Sequence, residues 1–384
     1  MKRRIRMGMV GGGRGAFIGS VHRMAAALDG TIELVCGAFS SDPDRSRASG
    51  RDLLLPESRV YGDYGEMIER EAALPADEKM DFVAIVTPND LHHSPAMLAL
   101  EAGFPVMCDK PLCLNMDQAK ELEATVEKTG LLFGLTHNYT GYPMVKEARQ
   151  RVRAGELGNI RRVVAEYPQG WLATRLESTG QKQADWRTDP KRSGASCCVG
   201  DIGTHAANLT EYVTGLPIEE VAAELSTFVD GRPLDDDASV LLRLADGARG
   251  VLWASQIAID EENGLNLRVY GEKGSLEWHQ EEPNTLLLKW PDKPREVVRA
   301  GANYARLSPE AVGASRLPAG HPEGYLEGFA NLYRSFAAAL LEGIDPATAT
   351  LDCPTVKDGV RGMAFIDATV ASSNDNAKWT RIRA

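Results

Sequence analysis

Gly200-Asp201-Ile202-Gly203-Thr204-His205 sets a carboxylate and an imidazole four residues apart at the start of a helical stretch, so both fall on one helix face. A carboxylate hydrogen-bonded to an imidazole fixes its tautomer and raises its basicity, leaving the other ring nitrogen to take a proton from a reacting alcohol. The same pair also reads as structure, with Asp201 capping the helix. Lys110, in Asp109-Lys110-Pro111, follows the short apolar run Pro105 to Cys108. A lysine there can donate to a substrate hydroxyl and hold negative charge as an alkoxide develops, against the bland alternative of a solvent-facing lysine. Gly11-Gly12-Gly13-Arg14-Gly15-Ala16 comes directly after one strand and opens a helix, which fits the G-x-G-x-x-G/A pattern. Glycines there allow a tight turn and close backbone approach, and the helix N-terminus attracts a pyrophosphate. Gly19, three residues on, is an alternative third glycine that lengthens the loop.

The elements around these residues have two grammars. Ile5 to Val10, Ile32 to Phe39, Asp81 to Thr87, Pro105 to Cys108 and Leu131 to Leu135 are near-continuous apolar runs. They alternate with helical periodicity over Phe17 to Leu28, Ser94 to Ala102 and Asn115 to Lys128, the last starting on a capping box with Gln118 and ending before Gly130. Such alternation predicts a doubly wound Rossmann domain of the α/β class, a parallel sheet covered on both faces, over residues 1–140. Its ligand edge is the carboxyl end of the strands, where Thr87-Pro88-Asn89 and Asp109-Lys110 lie. Beyond Asn159, Ala238 to Leu244, Gly250 to Ile259, Leu265 to Tyr270 and Ser275 to His279 follow one another with short turns. With helices near Ile202 to Val213, Tyr325 to Leu341 and Thr355 to Ser372, residues 141–384 form an α+β domain carrying an antiparallel sheet. Leu252, Trp253 and Ile257 are apolar positions of that sheet with few other elements to cover both faces, which predicts a homodimer or homotetramer.

Composition narrows the classes. A chain of 384 residues exceeds one ordinary core. A formal charge of -11 gives no broad basic surface for nucleic acid. Six cysteines show neither a CxxC pair nor histidine at zinc spacing, so no metal and no disulfide scaffold are expected, and reduced thiols fit a cytoplasmic protein. The basic start with Arg3 and Arg4 leads into a glycine turn rather than an apolar segment, and no run approaches the ~18 apolar residues that span a bilayer. The place of the ribose-binding acid, just past Phe39, holds Ser40 and Ser41. Serines with Arg45 or Arg47 nearby suit a 2′-phosphate and Asp42 argues the other way, so NAD and NADP both stay open.

Met9-Val-Gly-Gly-Gly13, Val86-Thr-Pro-Asn89 with His92, Ala102-Gly-Phe-Pro-Val-Met-Cys-Asp-Lys-Pro111, Ala154-Gly-Glu-Leu-Gly158 with Ile160, and Gly200-Asp-Ile-Gly-Thr-His205 together resemble the Gfo/Idh/MocA oxidoreductases over most of the chain. The resemblance implies a nicotinamide domain followed by a domain with a large, open antiparallel sheet that often forms the oligomer interface, the last helix returning to the first domain. It implies that Lys110, Asp201 and His205 are catalytic. Gly11, Gly13, Arg14, Ala16, Phe17, Ile18, Ser40, Ser41, Arg45, Thr87, Pro88, Asn89, His92, Asp109, Lys110 and Asn138 would then face the cofactor. Substrate would meet Lys110, Asn138, Tyr139, Trp171, Trp186, Arg187, Asp201, Thr204, His205 and His321. Three departures stand out: Asp109 for the family's glutamate, Asn208 where many members carry aspartate, and the longer glycine loop. Asp185-Trp186-Arg187 with Ser193-Gly194 is similar to members that oxidise anhydrosugars, glycosides or inositols, with Trp171 and Trp186 available to stack on a sugar ring or merely to bury area. His321 and Tyr325 lie in Gly320-His-Pro-Glu-Gly-Tyr325, which reads either as a contributor from the C-terminal side or as a proline turn before a helix.

The expectation is therefore a dehydrogenase that moves a hydride between NAD or NADP and a hydroxyl carbon of a sugar, inositol or glycoside. Two alternatives share the fold. A sugar-sensing regulator would reduce no cofactor with any polyol, and a glycosidase using NAD transiently would release aglycone without net NADH.

Overall fold

Ile5–Gly11, buried at nearly every position, forms β1, the strand around which the first sheet is wound. In the computed structural model, which describes residues 3–303, 307–343 and 351–384, it is followed by α1 (Phe17–Ala27), β2 (Ile32–Ala38), α2 (Pro43–Asp52) and α3 (Tyr64–Ala72). Next come β3 (Phe82–Val86), α4 (His93–Glu101), β4 (Val106–Cys108), α5 (Met116–Thr129) and β5 (Phe133–Leu135). These five strands are parallel in the order β2-β1-β3-β4-β5. The order reverses between β1 and β3, so a ligand crevice opens at their carboxyl ends. The expected capping box of α5 is met in its first half, Asn115 accepting from the Gln118 N–H (3.0 Å), while Gln118 reaches one residue further back to accept from the Leu114 N–H (3.1 Å), and Gly130 ends the helix in the left-handed region (φ 62°).

The rest of the chain runs α6 (Pro143–Arg153), β6 (Ile160–Pro168), α7 (Lys182–Arg187), α8 (Pro190–Ser193), α9 (Thr204–Thr214), β7 (Ile218–Ser226), β8 (Asp237–Leu244) and β9 (Arg249–Ser255). It continues through β10 (Asn266–Gly271), β11 (Ser275–His279), β12 (Thr285–Lys289), β13 (Glu296–Arg299), α10 (Pro309–Ala314), α11 (Tyr325–Glu342), α12 (Val356–Asn374) and β14 (Thr380–Arg381). Met1–Asn138 with Phe329–Val360 make one compact unit, and Tyr139–Gly328 with Arg361–Ala384 the other, the division falling inside α11 and α12.

The second unit holds a nine-stranded sheet, β13-β12-β11-β10-β6-β9-β8-β7-β14. The sequence pattern predicts an antiparallel sheet; the sheet is mixed, because β6 pairs parallel with β9 and antiparallel with β10. β6 precedes both hairpin runs in the chain and is not among the strands expected from the apolar pattern, which is why the parallel pair is invisible in the sequence. One sheet face is closed by α6 and α9 and carries Val163, Ala165, Val240, Leu242, Leu252 and Leu267. Period-2 alternation turns Leu241, Val251 and Trp253 to the other face. Of the apolar residues expected on an open face, Leu252 is thus core, while Ile257 lies beyond the end of β9. That strand stops at Ser255 rather than Ile259.

Candidate active site

In the first unit the register Gly11↔Val86 sets the glycine loop beside Thr87 at the crevice where the strand order reverses. Gly11 and Gly12 have φ of 82° and 71°, a region side chains rarely enter. A Cβ on Gly13 would lie 2.6 Å from the Phe39 carbonyl oxygen, and one on Gly19 would collide with the Gly12 Cα. Gly12 and Gly19 therefore make the close loop–helix contact, and Gly19 is the third glycine of the longer loop. The start of α1 has no side-chain cap and no acidic residue in its first turn, so its N–H groups are open to an anion. A dinucleotide pyrophosphate fits this cradle.

Other residues expected at the cofactor have local work. The Arg14 guanidinium is spent on Asp52 through two bonds (2.5 and 2.6 Å), both side chains exposed. Asp42 caps α2, accepting from the Asp44 and Arg45 N–H groups (2.9 and 3.1 Å). Ser40 accepts from the Asp42 N–H (3.2 Å), Ser41 and Arg45 are exposed, and Phe17 is 63% exposed at the head of α1, next to the partly buried Ala16 and Ile18. Thr87 donates to the Leu91 carbonyl (2.7 Å), Pro88 leads into the turn of buried Asn89, and His92 is fully buried with its ring nitrogens 2.7 and 2.9 Å from the Pro111 and Thr87 carbonyls. His92 thus ties two loops of the ligand edge.

Lys110 lies on the second of these loops. The Asp109 Oδ1 atom accepts from the Lys110 N–H (3.0 Å) and the Thr136 hydroxyl (2.7 Å), and it lies 3.8 Å from His22 Nε2. Burial pushes the Asp109 carboxyl up, but His22, Lys110 and Thr136 outweigh it and hold it well below the ordinary carboxylate range. The partly buried Asp109 is thus an anion. Burial and the Lys110 charge lower the pKa of His137 to about 3, so it stays neutral. Asn138 is buried, and its Nδ2 has no hydrogen-bond partner, a donor suited to a bound ligand.

In the second unit Asp201 sits in a wide π turn, Val199–Gly203, and His205 in the first turn of α9. The expected uniform α-helical spacing is therefore replaced by a π turn, a feature common at functional sites. Asp235, buried, builds this turn by accepting from the Ser196 hydroxyl and the Cys197 and Val199 N–H groups (2.9 to 3.0 Å). Asp201 Oδ2 accepts from Arg187 Nε and Gln256 Nε2, each at 2.9 Å. Two donors on one oxygen, one of them cationic, fix the carboxylate in place. The His205 ring is buried and meets the Tyr139 ring edge-on, centroids 4.8 Å apart. The Tyr139 hydroxyl bonds that of Tyr167, which donates to Asn263 Oδ1 (2.7 Å), and burial pushes the Tyr139 phenol up to about 12.

Arg187 lies over the Trp186 ring (4.2 Å) and near Trp171 (5.7 Å). The tryptophans offered for sugar stacking therefore brace this arginine, and Trp171 also packs against buried Leu172, Ala184, Cys197 and Leu234. Thr204 is buried with its hydroxyl unpartnered. His321 is exposed in a turn, Nδ1 3.2 Å from the Pro318 carbonyl, and Tyr325 opens α11 with its ring 6.5 Å from that of Tyr139. Tyr167, Asp235, Gln256 and Asn263 escape a reading of the sequence, because each joins the cluster through tertiary contact and none belongs to a motif. Among the described residues no group of His, Cys, Asp and Glu could hold a metal, the six cysteines are buried and form no disulfide, and no helix is long and apolar enough to cross a membrane.

Two family models match the chain: an oxidoreductase family with an NAD-binding Rossmann fold over residues 5–137, and a GFO/IDH/MocA C-terminal domain over residues 145–277. The uncharacterised oxidoreductase YfiI of Bacillus subtilis is 32% identical across 99% of this chain and 97% of its own length. Among solved structures, an oxidoreductase from Sinorhizobium meliloti is 48% identical, with a TM-score of 0.88 over 98% of this chain and 99% of that one. An inositol dehydrogenase homologue from Azotobacter vinelandii, complexed with NADH and myo-inositol, is 35% identical, with a TM-score of 0.92 over 99% and 98% of the two chains.

Proposed function

Since this chain belongs to the Gfo/Idh/MocA family of NAD-binding oxidoreductases, we propose that it oxidises a secondary hydroxyl of an inositol or a related sugar or glycoside. The observation that carries this reading is the ordered acid–imidazole segment: Asp201 fixed by Arg187 and Gln256, and His205 seated on Tyr139 four residues later. Removing hydride from an alcohol carbon without releasing its proton would leave an alkoxide of very high energy, so a base is required. His205 takes that proton, Asp201 orients the segment, and the Lys110 ammonium, next in sequence to the Asp109 anion, stabilises the developing oxyanion. The unpartnered Nδ2 of Asn138 and hydroxyl of Thr204 supply further polar contacts to cofactor or substrate. Gly11–Gly13 and the N-terminus of α1 would hold NAD⁺, which would supply the hydride acceptor. NAD⁺ is favoured over NADP⁺ because the similar inositol dehydrogenase homologue from Azotobacter vinelandii is complexed with NADH.

The test is a cofactor-reduction screen over inositols, hexoses, anhydrosugars and glycosides with NAD⁺ and NADP⁺ in parallel. NADH formation with an inositol or sugar is expected; silence toward every polyol overturns the reading. The sheet face bearing Leu241, Val251 and Trp253 is the proposed interface of a homodimer or homotetramer. Light scattering should return a multiple of the 41.7 kDa chain mass at micromolar concentration, and a single-chain mass would contradict it.

A further inference from the structure

Gln256 belongs to no motif, yet its side chain is fully buried and one of its two amide ends touches Asp201. Which end does so is decided by chemistry. Oε1 accepts from the Cys197 thiol (3.2 Å), and Nε2 lies 2.9 Å from Asp201 Oδ2. Turned over, the amide would set its oxygen against a carboxylate oxygen, losing that bond, and would have only the sulfur, a weak acceptor, for its N–H₂. Burial and the Asp235 carboxylate push the Cys197 thiol well above its ordinary value, so the sulfur keeps the proton it donates. The Gln256 backbone is pinned as well, its N–H on the Asp236 carbonyl (2.9 Å) and its carbonyl under the Leu172 N–H (3.0 Å). Cys197 also reaches Asp201 directly, since its carbonyl accepts from the Asp201 N–H (2.9 Å).

We propose that Gln256 is a positioning residue for Asp201, with the Cys197 thiol anchoring the amide oxygen in the orientation that the acceptor-only carboxylate imposes, so that the two together hold the carboxylate in the place proton transfer requires. The role rests on the dehydrogenase reading, because it matters to turnover only if Asp201 does. A neutral amide suits this role, since it satisfies one lone pair of the carboxylate and leaves the charge balance to Arg187. A glutamate in its place would bring a second buried carboxylate against the first, and the two could not both ionise.

The experiment uses the full-length enzyme and the variants Gln256→Glu, Asp201→Asn/Gln256→Glu, Cys197→Ser and Cys197→Ala. Melting temperature against pH reads the contact without any substrate. Gln256→Glu should melt below wild type at pH 8, the gap closing toward pH 5 as one carboxyl takes a proton. The double variant should recover part of the gap at pH 8, because the pair again carries a single negative charge beside Arg187. Turnover with NAD⁺ on the best polyol of the screen, beginning with myo-inositol, reads the positioning. The acid limb of kcat should move up by about one pH unit or more in Gln256→Glu. Cys197→Ala should lose about tenfold in kcat with KM nearly unchanged, and Cys197→Ser, whose hydroxyl still donates, should stay within about twofold of wild type. A Gln256→Glu melting curve equal to wild type at every pH overturns the contact. Unchanged pH profiles and kcat in the Gln256 and Cys197 variants, with Asp201→Asn impaired, overturn the positioning role and leave the dehydrogenase reading standing. Full activity of Asp201→Asn and His205→Ala, or no turnover of any polyol by wild type, removes that reading and the role with it.

Discussion

The first unit builds its part of the machinery from backbone, the second from side chains. At Gly11, Gly12, Gly13 and Gly19 the chain lies where no Cβ fits, and what the loop offers a ligand is N–H groups and space. Around Asp201 the offering is a chain of side chains from four separate segments: Cys197, Gln256, Arg187 braced by Trp186, and Asp235 beneath the turn. A backbone site fails at one added methyl group. A side-chain site fails by degrees, according to how many bonds are lost.

The sharpest way to break the comparison is Gly19→Ala. Its Cβ would collide with the Gly12 Cα, a backbone atom that cannot move without displacing the loop. Loss of measurable NADH binding by fluorescence titration is expected, with destabilisation of about 1–3 kcal/mol or more from overpacking. Gly15→Ala is the contrast, since nothing lies within 4 Å of its Cβ and only the φ of 76° is penalised, at a cost of about 1 kcal/mol. Equal behaviour of the two variants would mean that the loop is flexible rather than a fixed cradle.

Next in size are the groups that handle charge. His205→Ala and Lys110→Ala should each lower kcat by about 10² or more with NADH affinity nearly unchanged, measured by steady-state kinetics on the substrate found. Asp201→Asn should lose less, because the asparagine oxygen can still accept from Arg187 and Gln256. Wild-type kcat in His205→Ala across pH 6 to 10 would withdraw the histidine as base.

These two tests fall on residues of unequal legibility. The glycine loop, Lys110, Asp201 and His205 are readable because each belongs to a short contiguous motif whose spacing carries its physics. The parallel sheet is readable from the buried, uninterrupted strands that produce it. Gln256, Asp235 and Tyr167 are not, since a glutamine after a strand or an aspartate in a turn has no local signature, and its partner lies many residues away. The pairing of Arg14 with Asp52 escapes for the same reason. The π turn is hidden by its resemblance to ordinary helix, and the parallel β6–β9 pair by a strand that the apolar pattern does not announce.

A smaller effect separates the units by pH. Buried His137 has its pKa lowered to about 3, against an unfolded value near 6.5, so the folded form refuses a proton that the unfolded chain accepts. The associated stability is whole above pH 6.5 and is lost as pH falls toward the folded value, at up to about 1.4 kcal/mol per pH unit. His92, lowered by burial, adds in the same direction, whereas the Asp109 contribution is lost only below the ordinary carboxylate range. Melting curves of His137→Asn from pH 8 to 4 should be flatter than wild type. Parallel curves would mean that the histidine titrates normally in the fold.

The smallest effect is expected at Arg14, the one charged side chain inside the glycine loop and the place where the backbone argument is easiest to refute. Its guanidinium is bound by Asp52 in a two-pronged, exposed pair, and such pairs are weakened by solvent and contribute little. Its N–H donates to the Ser49 hydroxyl (3.1 Å), and that bond survives any side-chain truncation, so the loop keeps its course. Arg14→Ala should therefore change the NADH dissociation constant by less than about threefold, the scale of a surface substitution, with an unchanged melting temperature. Should the affinity instead fall tenfold or more, with a loss that shrinks in high salt, the arginine would have to leave Asp52 for the dinucleotide phosphates. The first unit would then recognise its ligand through a side chain as the second does.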